Sequence, residues 1–303
     1  MPQKIIPNIW FNGDAEEAGE FYTSVFDGAT SIVGAHYPDE LPDWQASFAG
    51  KVLTVDLVID NFLLTLINAG DEFRPNPSIS FMLNFDPLFF GRDTDAARTR
   101  LDAVWAGLSE GGRVLMDLGE YPFSRRYGWV EDRFGVSWQV ILTDPDGPPQ
   151  PFVIPQLMFG GDAQGRGREA VEFYTSLFAE AGVDMIAPYP EDTGPAKKDD
   201  VMFGSFRLAG QAFAFMDSGV AQDSSFTPGI SFEVRCADQA EIDRYWDALS
   251  AVPEAEQCGW LADRFGVSWQ IVPENMGELM DRPGSYEAML EMGKLVIADF
   301  PSA

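Results

Sequence analysis

The chain has 303 residues, and its 48 Asp and Glu against 20 Lys and Arg give a formal net charge of -28. A surface of that sign repels phosphate, which excludes nucleic acid and anionic membranes as partners and leaves solubility or salt adaptation as the role of the acidity. Such a length holds two ordinary domains, no segment approaches the ~18 apolar residues of a membrane span, and the opening residues lack a signal-like apolar run.

In chain order, residues 5–11 form a short apolar strand-like run, and Asp14 with Glu17 is a helix-start signature. Ala18, Phe21, Tyr22 and Val25 then recur at i, i+3, i+4 and i+7, which predicts one packed helix face. His36, the sole histidine, falls in AHYPDE, read as an exposed loop without ligand spacing. Leu53, Val55, Leu57 and Ile59 alternate with Val52, Thr54, Asp56 and Val58, the period of a strand with two differently occupied faces, and residues 62–67 return after Asp60-Asn61 as a hairpin. A second run follows: a strand over 79–85, a helix carrying Leu101, Val104, Trp105 and Leu108, and strands to Leu142. Residues 112–128 predict an extra hairpin whose aromatic and basic side chains either cover a pocket or pack the two halves together.

The plan then starts again. IPNIWFNGDA from Ile6 returns as IPQLMFGGDA from Ile154, EFYTSVF from Glu20 as EFYTSLF from Glu172, and DRFGVSWQ from Asp132 unchanged from Asp263. Blocks in the same order mean a tandem duplication. The helix stripes recur as Ala170, Phe173, Tyr174 and Leu177, and as Ile242, Tyr245, Trp246 and Leu249. The Pro- and Gly-rich stretch before Phe152 cannot continue a helix or central strand. The expected division is a first domain over 1–143, a linker over 144–151, and a second domain over 152–303 with a helical C-terminal extension. Cys236 and Cys258 fit neither disulfide nor metal spacing, which agrees with a reducing cytoplasm.

CGWLADRFGVSWQIVP over 258–273, FYTSLF over 173–178 and AMLEMGKLVIADF over 288–300 closely resemble the PhnB-like proteins, a group labelled by the domain name 3-demethylubiquinone-9 3-methyltransferase. The resemblance implies the vicinal oxygen chelate fold of the glyoxalase, bleomycin resistance and dioxygenase proteins. That fold is α+β: two tandem domains are expected, each made of two βαβββ modules that form a half-barrel cavity for metals, drugs or substrates. Methyl transfer itself finds no support, because no glycine-rich strand-to-helix loop with an acidic partner is present.

Metal-using relatives place His or Glu on facing strands. Carried over by the flanking motifs, those positions become Pro7 or Asn8, Thr65, Ser80 and Gln139 in copy one, and Pro155 or Gln156, Ala214, Ser231 and Gln270 in copy two. None is a carboxylate, imidazole or thiolate, so neither a metal nor another cofactor is expected. Gln139 and Gln270 either hold a ligand or tie neighbouring strands, and Trp138 and Trp269 turn to the opposite, core face. Met82 and Asn84 of copy one become Glu233 and Arg235 in copy two, a charged pair that either sets ligand polarity, with Glu233 as the one candidate acid-base group, or forms a solvated rim. The expected pocket set is therefore Thr65, Ser80, Met82, Gln139, Ser231, Glu233, Arg235 and Gln270 around a small-molecule ligand. The expected function is metal-free small-molecule binding; a metal-independent isomerase, lyase or transferase, drug or toxin sequestration, and a scaffold with filled cavities are the alternatives. The two copies are expected to pair within one chain as separate subunits would, with a homodimer as the alternative.

Overall fold

A strand apolar on one side must lay that side on something, and in the computed structural model, which describes residues 3–302, four groups of strands each lay it on a helix. The first group is β1 (Ile5–Phe11), α1 (Ala15–Val25), β2 (Thr30–His36), β3 (Val52–Ile59) and β4 (Phe62–Asn68). The second is β5 (Ile79–Phe85), α2 (Thr94–Ser109), β6 (Arg113–Tyr121), β7 (Ser124–Glu131) and β8 (Ser137–Leu142). The third is β9 (Val153–Phe159), α3 (Gly167–Leu177), β10 (Gly182–Pro188), β11 (Val201–Leu208) and β12 (Gln211–Asp217). The fourth is β13 (Ile230–Cys236), α4 (Gln239–Leu249), β14 (Trp260–Ala262) and β15 (Ser268–Pro273), after which α5 (Met276–Met280) and α6 (Ser285–Leu290) close the chain. The hairpin expected over 112–128 is the β6–β7 pair. His36 lies outside the loop expected for it: it ends β2, opposite Val52, and is exposed. No described helix is long and apolar enough to cross a membrane.

The strands form two mixed sheets, ordered β14-β15-β13-β1-β4-β3-β2 and β10-β11-β12-β9-β5-β8-β7-β6. Each sheet is built of two modules, as the family resemblance implies, but the two come from different copies. The first group joins the fourth through antiparallel β1 and β13, with Asn8 opposite Ser231, and the second joins the third through β5 and β9, with Ser80 opposite Gln156. The sequence repeats over 1–143 and 152–303 are thus not the sheet units. The chain changes sheet between β4 and β5 and back between β12 and β13, and these two crossings run against each other. Asn76 Nδ2 donates to the Ser225 carbonyl, and a Cβ on Gly229 would collide with the Arg74 carbonyl oxygen. Only a residue without a side chain fits that approach.

The repeated DRFGVSWQ block owes its form to a buried clasp. Asp132 Oδ1 accepts the backbone N–H of Phe134 at 2.9 Å and of Val136 at 3.1 Å, and Oδ2 accepts the Tyr22 hydroxyl at 2.7 Å and Trp138 Nε1 at 2.8 Å. One carboxylate therefore fixes a turn, a helix and a strand together. Asp263 repeats the arrangement with Phe265, Val267, Tyr174 and Trp269. Burial raises the Asp132 carboxyl to about 6 against the donors that pull it down, and raises Asp263 in the same direction.

A carboxyl that titrates higher in the folded state than its ordinary 3.8 gives stability that is complete below 3.8 and lost as pH rises through about 6. Asp132→Asn removes that titration and turns an amide N–H toward Trp138 Nε1, for a loss of about 1–3 kcal/mol. In urea unfolding followed from pH 4 to 7, the gap between wild type and this variant should be widest at low pH and narrow on the way up; a constant gap would remove the clasp from the pH dependence.

Candidate functional site

Along β1, Ile5 and Ile9 turn to the helix-covered core, so Ile6, Asn8 and Trp10 belong to the other, helix-free face. The register gathers polar side chains on that face of the seven-stranded sheet. Asn8 stands beside Thr65 of β4 and Ser231 of β13, Ser231 beside Ser268 of β15, and Thr65 beside Asp56 of β3. In the next row Glu233 stands between Ile6 and Gln270, and Gln270 beside Trp260. Gln270 Nε2 donates to Ser231 Oγ at 2.9 Å and Asn8 Nδ2 to the Ile6 carbonyl at 3.1 Å. The Thr65 hydroxyl donates to Asp56 Oδ1 at 3.4 Å, a weak bond. Arg235 Nε donates to Glu233 Oε1 at 2.7 Å, with the Glu233 side chain 15% exposed and that of Arg235 41%. Trp10 and Trp260 meet edge to face at 5.9 Å, and Phe73 packs on Trp10 at 5.1 Å. From α6, the Tyr286 hydroxyl donates to Gln45 Oε1 at 2.9 Å, tying the C-terminal segment to the turn before β3.

The eight-stranded sheet carries the equivalent residues in a different state. Gln139 Nε2 donates to Ser80 Oγ at 2.8 Å, the same bond that Gln270 makes, but here the Tyr127 hydroxyl also donates to Gln139 Oε1 at 2.7 Å. Trp129 Nε1 donates to Ser137 Oγ at 2.7 Å. Met82, Ile154 and Ala214 pack together, and Tyr127, Trp129 and Met158 form a second cluster with Met116 of β6 and Met216 of β12. These clusters occupy the helix-free face of this sheet, where Gln156 Oε1 is buried without a donor. By the aligned blocks, Cys258 takes the place of Tyr127, and Trp10 that of Met158.

The expected pocket residues are therefore divided between the sheets. Thr65, Ser231, Glu233, Arg235 and Gln270 share the first, and Ser80, Met82 and Gln139 the second; Thr65 does not meet Ser80 or Gln139, its companions in sequence. Trp10, Asp56 and Trp260 join the first face without having been found by position-by-position comparison. For Asp56 the signal was a charge inside an apolar alternation. A metal in the seven-stranded sheet would need Asn8, Thr65, Ser231 and Gln270, two amides and two hydroxyls, which do not fit a zinc-type centre. No group of three or more His, Cys, Asp or Glu with metal-binding geometry occurs among the described residues.

Removing the Tyr127 hydroxyl leaves Gln139 Oε1 buried without its donor. Tyr127→Phe should lower unfolding free energy by about 1–3 kcal/mol in urea titration. No loss would mean that the amide finds water there.

The family described as 3-demethylubiquinone-9 3-methyltransferase matches residues 3–141 and again 151–272. Among solved structures, the putative 3-demethylubiquinone-9 3-methyltransferase, PhnB protein, from Bacillus cereus is 31% identical, over 46% of this chain and 100% of that one, with a TM-score of 0.39. A glyoxalase/bleomycin resistance protein/dioxygenase family enzyme from Burkholderia phytofirmans is 16% identical over 45% of this chain and 94% of that one, at 0.29. Glyoxalase I from Zea mays spans 90% of this chain and 95% of its own at 12% identity and a TM-score of 0.52, a likeness of fold alone. The chain matches none of the curated proteins.

Proposed function

Since the chain belongs to the 3-demethylubiquinone-9 3-methyltransferase family of glyoxalase-type proteins, with two family units in tandem, we propose that it binds a small molecule, without a metal centre, on the helix-free face of its seven-stranded sheet. One observation carries this reading. Gln270 keeps the bond to serine that Gln139 makes, yet the hydroxyl that caps Gln139 has no counterpart, because Cys258 stands where Tyr127 stands. An amide oxygen that one sheet satisfies internally is left, in the other, for a ligand.

Binding is favoured over catalysis by the state of Glu233. Its Oε1 is engaged by Arg235 at 2.7 Å, and a carboxylate held in an ion pair is a poor proton carrier. The methyl transfer in the family's description is not part of this reading, because the sequence offers no loop of the kind that cradles such a cofactor. Soluble, cytoplasmic residence and a single-chain assembly complete the proposal: β1–β13 and β5–β9 meet within one chain the pairing needs that two chains would otherwise meet in common.

In a thermal-shift screen of small molecules, stabilisers of the wild type should lose affinity about tenfold in Gln270→Ala and keep it in Tyr127→Phe. Hits sensitive only to Tyr127→Phe would move the site to the eight-stranded sheet. Light scattering at micromolar concentration should return the mass of one chain; a stable dimer would overturn the single-chain assembly.

A further inference from the structure

The acceptors left open on the seven-stranded face determine what it can take, an inference that rests on this face being the binding site. Asn8 is 2% exposed, and its Nδ2 donates to the Ile6 carbonyl. A carbonyl only accepts, so the amide cannot be turned round and Oδ1 points away from it; among the described residues nothing donates to that oxygen. Gln270 Nε2 donates to Ser231 Oγ and no described residue donates to its Oε1; a serine hydroxyl can also donate, so Asn8 is the amide whose orientation its partner fixes. Glu233 uses one oxygen for Arg235, and Asp56 receives only the long bond from Thr65.

Charge points the same way. Strands β1, β3, β4, β13, β14 and β15 contain only Asp56, Glu233 and Arg235 as charged residues, and the Arg235 guanidinium is already engaged by Glu233. The face is thus left with a surplus of acceptors and a surplus of negative charge. Trp10, Trp260 and Phe73 add clustered aromatic rings, whose faces attract cations. A chain of net charge -28 also raises the local concentration of cations around such a site.

We propose that the ligand class is an organic ammonium ion, an amine cation with at least one N–H and an apolar body. The N–H groups would meet Asn8 Oδ1, Gln270 Oε1 and the Glu233 carboxylate, and the apolar body the indoles. An anion or a pure acceptor of the same shape is rejected, because it would leave those oxygens desolvated without donors.

The test uses three probes of one shape, benzylammonium, benzyl alcohol and benzoate, titrated into the full chain and followed by tryptophan fluorescence and calorimetry. Benzylammonium should bind at least about tenfold more tightly than either of the others. Glu233→Gln and Asp56→Asn should each weaken it several-fold, whereas Glu254→Gln, an exposed change of the same charge away from the face, should not. Equal or tighter binding of benzyl alcohol or benzoate that is still lost in Gln270→Ala would overturn the ligand class while leaving the binding face in place. Equal weakening by Glu254→Gln would reduce the preference to net charge and overturn it too. If none of the three probes binds, the ligand class falls, and if the thermal-shift screen also fails to show sensitivity to Gln270→Ala, the binding face falls with it.

Discussion

Everything at the candidate site depends on the antiparallel pairing of β1 with β13. That ladder sets Asn8 against Ser231 and Ile6 against Glu233, and so brings a strand from the start of the chain to one from its last third. Without it, Thr65 and Gln270 stand on half-sheets with an open edge each, and an unpaired edge in the middle of a hydrophobic sheet is both unstable and prone to pair with another chain. The tandem duplication makes this ladder an internal one. Its equivalent, β5 with β9, closes the other sheet in the same way.

Much of the fold was legible because periodicity and repetition are local signals. The stripe of Ala18, Phe21, Tyr22 and Val25 is α1, and the alternation over 52–59 is β3, with Asp60 and Asn61 both at positive φ in the tight turn to β4. Period two also assigns the face of a side chain, which is why Gln139 and Trp138 could be placed on opposite sides. It does not say which strand lies alongside. Thr65 and Ser80 sit in one sequence copy and in different sheets, since partner choice is settled by long-range packing of the crossings, where Gly229 runs against Arg74. Trp10 and Trp260 were missed for the same reason: they lie 250 residues apart in sequence and become neighbours only once the sheet is assembled.

The most conspicuous motif divides its residues between two tasks. In DRFGVSWQ the aspartate and tryptophan face the core and hold helix, turn and strand together, while the serine and glutamine face the other side. Identity between the copies thus has a structural cause for half of the motif, and it carries no information about ligand. The informative positions are those where the copies differ on the helix-free face: Tyr127 and Cys258, Met158 and Trp10, Met82 and Glu233.

Those differences separate two demands that conflict in a single sheet. The helix-free face of the seven-stranded sheet buries Asn8, Thr65, Ser231 and Gln270, and so forgoes apolar burial worth roughly 1.5–3 kcal/mol for each large side chain. The eight-stranded sheet packs Tyr127, Trp129 and Met158 together and satisfies Gln139 on both sides, although Gln156 Oε1 stays buried there without a donor. Because the two sheets share their crossings, stability gained by filling one face supports the frame of the other. Duplication within one chain permits the two faces to diverge, since two identical subunits would carry the same side chains on both.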